Sequence, residues 1–197
     1  MNKLQLIQSL KSQGFSEQII KAFNKVQREK FIPENSKIYA YEDTALSIGK
    51  GQTISQPYTI AFMLSLLELQ DKQKIMEIGS GSGYVLALLN TISKNSKIYG
   101  VERIKELVER SKSILKNKKN IKIIKANKEL GIPNEKFDRI LVSAAADKIP
   151  DKLIEQLKVN GIIVIPVRNS IIQIKKTIEG LIKKEFHGFV FVPLIED

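Results

Sequence analysis

Apolar and polar residues follow two rhythms along this chain, and the rhythm changes once. Through Val26 the spacing is helical: Leu4, Ile7 and Leu10 make one apolar stripe, and Ile19, Ile20, Phe23 and Val26 make a second. Gly14 stops the first predicted helix and Ser16 can cap the next. The stretch "REKFIPENSKIYAYEDTALSIGKG" shows no long period and is punctuated by Pro33, Gly49 and Gly51. A segment this long with little regular structure is often functional; a structural wrap around the helices is the competing view. A third helix is predicted inside "GQTISQPYTIAFML", with Ser55 as its N-cap and Pro57 in its first turn.

From Gln73 onward short apolar runs alternate with helical ones. "KIMEIG", "KIYGVE", "NIKIIK", "FDRILVSAAA" and "GIIVIPV" read as strands, and "YVLALLNTI", "IKELVERSKSILKN" and "DKLIEQLK" as helices between them. Strands alternating with helices predict a doubly wound, mostly parallel α/β sheet covered on both faces. Two further β-like runs around Glu179-Gly180 predict a hairpin at the sheet edge. The expected architecture is a single domain over 1–197. Residues 1–70 form its N-terminal helical and loop region, and residues 71–197 its Rossmann-like core.

Composition narrows the chemistry. The chain holds 197 residues, 43% of them apolar, and no cysteine. Disulfides, thiolate zinc sites and cysteine nucleophiles are thereby excluded. One histidine and scattered carboxylates give no metal-ligand cluster, so no metal is expected. No apolar run approaches the ~20 residues of a membrane span, and the N-terminus lacks the apolar core of a signal peptide. A cytoplasmic location and no membrane partner are expected. The formal charge is +11, but the lysines are spread along the chain. Aromatics do not interleave with them as a stacking surface requires, so nucleic acid is not expected as a partner.

"MEIGSGSGY" places Gly79, Gly81 and Gly83 between a strand and a helix. Ligands of doubly wound sheets bind at the carboxyl ends of strands, where glycine lets backbone approach a ligand closely. A dinucleotide fingerprint would need Gly at position 84, which is Tyr84, and no GxxxxGK[ST] phosphate loop is present. The loop resembles motif I of S-adenosylmethionine-dependent methyltransferases. Glu102 ends the next strand, where a carboxylate can take both hydroxyls of a ribose. These features leave the methyl acceptor open: RNA, a small molecule or a protein. A non-catalytic binding protein and an NAD-dependent oxidoreductase are the rivals from other classes.

The stretches "REKFIP", "AYEDTALSIGKGQTISQPY", "MEIGSGSGY", "FDRILVSAAADKIPDKLIEQLKVNGIIVIPV" and "FVPL" resemble the protein-L-isoaspartate (D-aspartate) O-methyltransferase family from Arg28 to Leu194. "GQTISQPY" is the block specific to that family. The resemblance implies methyl transfer from S-adenosyl-L-methionine to the α-carboxylate of L-isoaspartyl residues in damaged proteins and peptides. The ester then collapses to a succinimide without further enzyme help, and part of it reopens as aspartate. It implies a class I methyltransferase fold and Ser55 as the active-site residue. It implies cofactor contacts from Glu77, Gly79, Ser80, Gly81, Gly83 and Glu102. Thr53, Ile54, Gln56, Tyr41 and Asp43 are expected on the substrate side, and a monomer is expected. The family usually shows "GDG" after the third strand; here Ala126, Asn127 and Lys128 stand there. The Asn127 amide oxygen could still accept a hydrogen bond from an adenine amino group. The usual "PLPIG" reads "ALSIG".

The residue inventory fits that chemistry. A substrate carboxylate is ionised at neutral pH and needs no general base. His187, on the edge hairpin, is expected to be a surface residue. Ser55 then has two compatible roles, as helix cap and as hydroxyl donor to an anion at a helix N-terminus.

Overall fold

The strand rhythm predicted from Gln73 onward builds a seven-stranded sheet in the structure, a computed structural model that describes residues 1–195. The chain opens with two helices, α1 (Lys3–Ser12) and α2 (Glu17–Lys25). The segment expected to have little regular structure is more ordered than its pattern suggests. It holds two 3₁₀ turns, Arg28–Phe31 and Glu34–Tyr39, and a small antiparallel hairpin of β1 (Leu46–Gly49) and β2 (Gln52–Ile54). These elements are too short to show a period. They are held by what they pack on, with Ile48 and Ile54 buried.

After α3 (Pro57–Leu66) come β3 (Lys74–Ile78), α4 (Tyr84–Ile92), β4 (Lys97–Glu102), α5 (Lys105–Ile114) and β5 (Ile121–Lys125). Then follow β6 (Phe137–Val142), α6 (Asp151–Glu155), β7 (Leu157–Val167), β8 (Ser170–Lys176) and β9 (Leu181–His187). The helix expected over "DKLIEQLK" ends at Glu155, and Leu157 already pairs with Phe137 in the sheet. Strand order is β5-β4-β3-β6-β7-β8-β9. Pairs among β5, β4, β3, β6 and β7 are parallel, and β8 and β9 add the antiparallel edge hairpin. The chain runs outward from β3 to β5 and then returns to β6 on the other side of β3. That reversal opens a crevice at the carboxyl ends of β3 and β6, where doubly wound sheets bind ligands.

The central strands are buried on both faces, which is why they read as continuous apolar runs. Ile75, Ile98, Leu141 and Val164 face one cluster, with the N-terminal helices, α3 and α4. Met76, Ile140, Ile163 and Ile165 face the other, with Leu153 of α6. His187 is largely exposed, as expected, its Nδ1 2.8 Å from the Ser170 hydroxyl.

α3 carries the segment that ends at Ser55, and both of its ends are fixed by distant residues. Its N-cap is Gln56, one residue later than expected, and Gln56 makes no side-chain cap bond. The capping oxygen is Asp43 Oδ1, which accepts from the Tyr58 N–H at 2.8 Å. Pro57 can donate no N–H, so the first donor to be satisfied is that of Tyr58. At the other end Arg139 Nε donates to the Leu67 carbonyl at 2.5 Å and Arg139 Nη2 to the Glu68 carbonyl at 3.0 Å. Gln173 Nε2 donates to the Leu66 carbonyl at 2.5 Å. Asp43→Ala is expected to cost about 1 kcal/mol in urea unfolding, as a lost N-cap does. Ser55→Ala, which removes no cap, is expected to change stability by less than about 0.5 kcal/mol.

Candidate active site

The crevice at the reversal holds two adjoining cavities. The larger runs from Ile48, Gln52 and Thr53 past the glycine loop and the β4 end, to Ala126–Gly131 and to Val192–Ile195. The smaller is lined by Thr53, Ile54, Ser55, Ile60, Glu77, Ser80, Tyr84, Ser143 and Phe191, among others. Thr53, Gly79, Gly81 and Ser143 line both, so these four mark the seam between them.

The glycine loop is shaped by its neighbours. Gly83 begins α4 with φ 84°, and a Cβ there would lie 2.9 Å from Leu115 Cδ1 and 3.1 Å from Ser111 Cβ. Only glycine lets α4 sit this close to α5 while turning through the left-handed region. Gly79 and Gly81 also have positive φ. They face the cavities, where a side chain would occupy the space.

Glu102 is 6% exposed and both of its oxygens are held by backbone. Oε2 accepts from the Gly81 N–H and Oε1 from the Ile104 N–H, each at 2.8 Å. Such charge-assisted bonds fix the carboxylate and leave its other lone pairs free for a ligand's hydroxyls. Asn127 lines the larger cavity, but its Oδ1 accepts from the Glu129 N–H at 2.9 Å. The amide oxygen expected to meet an adenine amino group therefore already turns its own loop and has one lone pair left.

Glu77 is 1% exposed, at the back of the smaller cavity. Its Oε1 accepts from the Ser143 hydroxyl at 2.8 Å, while Oε2 has no partner among the described residues. Burial, more than the bond from Ser143 offsets, pushes its carboxyl up to about 8, and Glu102 adds to the rise. Ser80 Oγ, also buried, is unpartnered too. Two orphaned polar atoms at one cavity are the kind of defect a polar ligand repairs.

Sequence reasoning placed Thr53, Ile54 and Ser55 together, and they do line the smaller cavity. It also expected Tyr41, Asp43 and Gln56 on the substrate side, and none of the three lines either cavity. The Tyr41 hydroxyl is bonded to the Glu29 carboxylate, and Asp43 is the α3 cap. Missed were Ser143 and Ala144 after β6, and Phe191 and Val192–Ile195. The last segment returns to the crevice by pairing with Ala145, which donates to the Val192 carbonyl at 2.8 Å and accepts from the Leu194 N–H at 2.7 Å. The strand ending at Val142 could have flagged Ser143; nothing local marks the returning tail. No group of three or more metal-ligating side chains occurs among the described residues.

The sheet order, the glycine loop and the strand-end carboxylate are those of a class I S-adenosylmethionine-dependent methyltransferase. Within that class the chain belongs to the protein-L-isoaspartate(D-aspartate) O-methyltransferase family, whose sequence profile matches residues 1–197. A protein-L-isoaspartate O-methyltransferase of Ignicoccus hospitalis is 40% identical over 206 residues, covering 99% of this chain and 98% of its own. One from Petrotoga mobilis is 44% identical over 196 residues, covering 94% and 91%. A Plasmodium falciparum structure described as this enzyme in complex with S-adenosyl-L-homocysteine superposes with TM-score 0.85 at 30% identity, each chain covered fully at 100%. Another solved protein-L-isoaspartate O-methyltransferase gives TM-score 0.89 at 25% identity; 98% of this chain spans 66% of that one.

The buried Glu77 gives stability a pH signature. Unfolded, it ionises near 4.5; folded, it keeps its proton up to about 8. Between those values the native state binds a proton that the unfolded state has lost, so stability falls as pH rises through the window. In the cofactor-free protein, Glu77→Gln is expected to melt above wild type at about pH 8.5, with the gap closing toward about pH 5. A gap independent of pH would contradict the assignment.

Proposed function

We infer that this protein transfers a methyl group from S-adenosylmethionine to the α-carboxylate of L-isoaspartyl residues, and so initiates repair of damaged proteins. The observation that carries the reading is the seam: a crevice with a fixed carboxylate meets a smaller cavity lined by Ser55, in a chain of this family. The residues present fit the cofactor. Glu102 is oriented to accept ribose hydroxyls, and Ile104 and Leu130 offer apolar surface nearby. Glu77 and Ser80, each with a side-chain oxygen unpartnered among the described residues, line the smaller cavity beside the seam. When bound, S-adenosylmethionine supplies a methyl group on a sulfonium, activated for displacement.

The chain's own work is positioning. Ser55 has no capping duty, so its hydroxyl is free to donate to a carboxylate in the smaller cavity. Glycines at the seam let donor and acceptor meet without a side chain between them. No residue has to remove a proton, because the acceptor is already an anion at neutral pH. Enforced in-line geometry of this kind can contribute on the order of 7–11 kcal/mol.

Residues 1–70 and 71–197 act as one unit, since Thr53 and Ser55 of the first part and the glycine loop of the second line the same cavity. No helix among the described residues is long and apolar enough to cross a membrane.

The test is methyl incorporation into two peptides identical except for isoaspartate or aspartate at one position. Only the isoaspartyl peptide is expected to be labelled. Ser55→Ala is expected to lose about tenfold or more of the rate, in line with a lost donor to a charged group, while binding S-adenosylhomocysteine as wild type does. Equal labelling of both peptides, or of neither, would overturn the reading.

A further inference from the structure

The smaller cavity has to receive an anion, yet no lysine, arginine or histidine lines it. The cations of the crevice, Arg103, Lys128 and Lys152, line the larger cavity instead. Directly behind the smaller cavity's wall lies Arg28, which is 0% exposed. Its Nη2 donates to the Ser55 carbonyl at 2.9 Å and to the Thr44 carbonyl at 3.3 Å. Its guanidinium sits over the Tyr84 ring, 5.3 Å from the centroid, and Tyr84 lines the cavity. Arg28 thus touches two residues of the cavity wall from behind.

Its electrostatic state is unusual. No carboxylate among the described residues forms an ion pair with it, and Nε and Nη1 have no partner. Asp43, an acid that acts on it, has one carboxylate oxygen engaged at the Tyr58 N–H. A buried guanidinium without a counter-ion is expensive. Burial lowers its pKa to about 10, so it still carries its charge at neutral pH. Among the described residues no carboxylate pairs directly with this charge, Asp43 favouring it only without an ion pair, and it lies behind the cavity where an acceptor carboxylate would enter.

We propose that Arg28 is the buried counter-charge of the acceptor cavity, a positioning residue that holds the Ser55 segment and favours an anionic acceptor over a neutral one of the same shape. The proposal rests on the isoaspartyl reading above. It adds a source of selectivity that the cavity lining lacks. Field from a buried charge is weakly screened by salt, unlike that of the surface lysines.

The experiment compares binding of two peptides identical except for isoaspartate or its uncharged isostere isoasparagine. It is run with S-adenosylhomocysteine present, which carries no sulfonium charge. Wild type is expected to prefer the isoaspartyl peptide and to keep that preference at about 0.5 M salt. Arg28→Met is expected to reduce the ratio of the two dissociation constants about tenfold. Arg28→Lys is expected to restore most of it, and both variants are expected to bind S-adenosylhomocysteine normally. A merely structural role would weaken both peptides equally and leave the ratio unchanged, which would overturn the proposal. If Arg28→Met does not fold, the wild-type salt series decides: a preference that collapses in salt belongs to surface charge and overturns it equally. Wild type that binds neither peptide would signal failure of the isoaspartyl reading itself, and this proposal would fall with it.

Discussion

The crevice depends on one carboxylate held by two backbone amides. Glu102 closes β4, and its oxygens draw in the Gly81 N–H of the glycine loop and the Ile104 N–H that precedes α5. The glycine loop is thereby tied to the neighbouring strand as well as to its own. Parallel pairing of β3 with β4, in register from Lys74–Lys97 to Ile78–Val101, brings the two strand ends level. Inside a crevice of low dielectric such charge-assisted bonds gain strength, and they order the acid before any ligand arrives. Preorganisation of this kind serves a reaction in which the protein supplies geometry and little acid–base chemistry.

The acceptor side is built on a different logic. Ser55 sits at the entrance to a helix, but the helix is capped from fifteen residues upstream by Asp43. Asp43 satisfies the backbone, and Ser55, free of capping, lines the smaller cavity. Arg28 holds the Ser55 carbonyl from behind, so both polar groups of Ser55 have separate tasks. Glu77 adds a carboxyl that burial keeps protonated near neutrality, so it does not repel an incoming anion. The +11 charge of the whole chain, by contrast, resides in scattered lysines outside this cavity.

What was legible in the sequence was local. The glycine loop, Glu102 and the alternating strands announce themselves within windows of a few residues, because backbone geometry and burial on both faces leave short signatures. Ser55 lines the smaller cavity with Thr53 and Ile54, but its expected capping role is not found. A serine before a proline reads as a cap, and only the tertiary approach of Asp43 shows otherwise. Tyr41 and Asp43 lie close to the cavity residues in sequence, yet their side chains are used in the scaffold. Ser143, Phe191 and the tail at Val192–Ile195 were invisible for the opposite reason. They reach the crevice through sheet topology and the pairing with Ala145, which carries no periodic signal.

The central claim is that donor and acceptor meet at the seam marked by Thr53, Gly79, Gly81 and Ser143. A crystal structure with S-adenosylhomocysteine bound tests it most directly. The account predicts ribose hydroxyls on Glu102 and the sulfur atom at that seam, facing the cavity of Ser55. A sulfur directed away from that cavity, or a ribose held elsewhere than on Glu102, would contradict it.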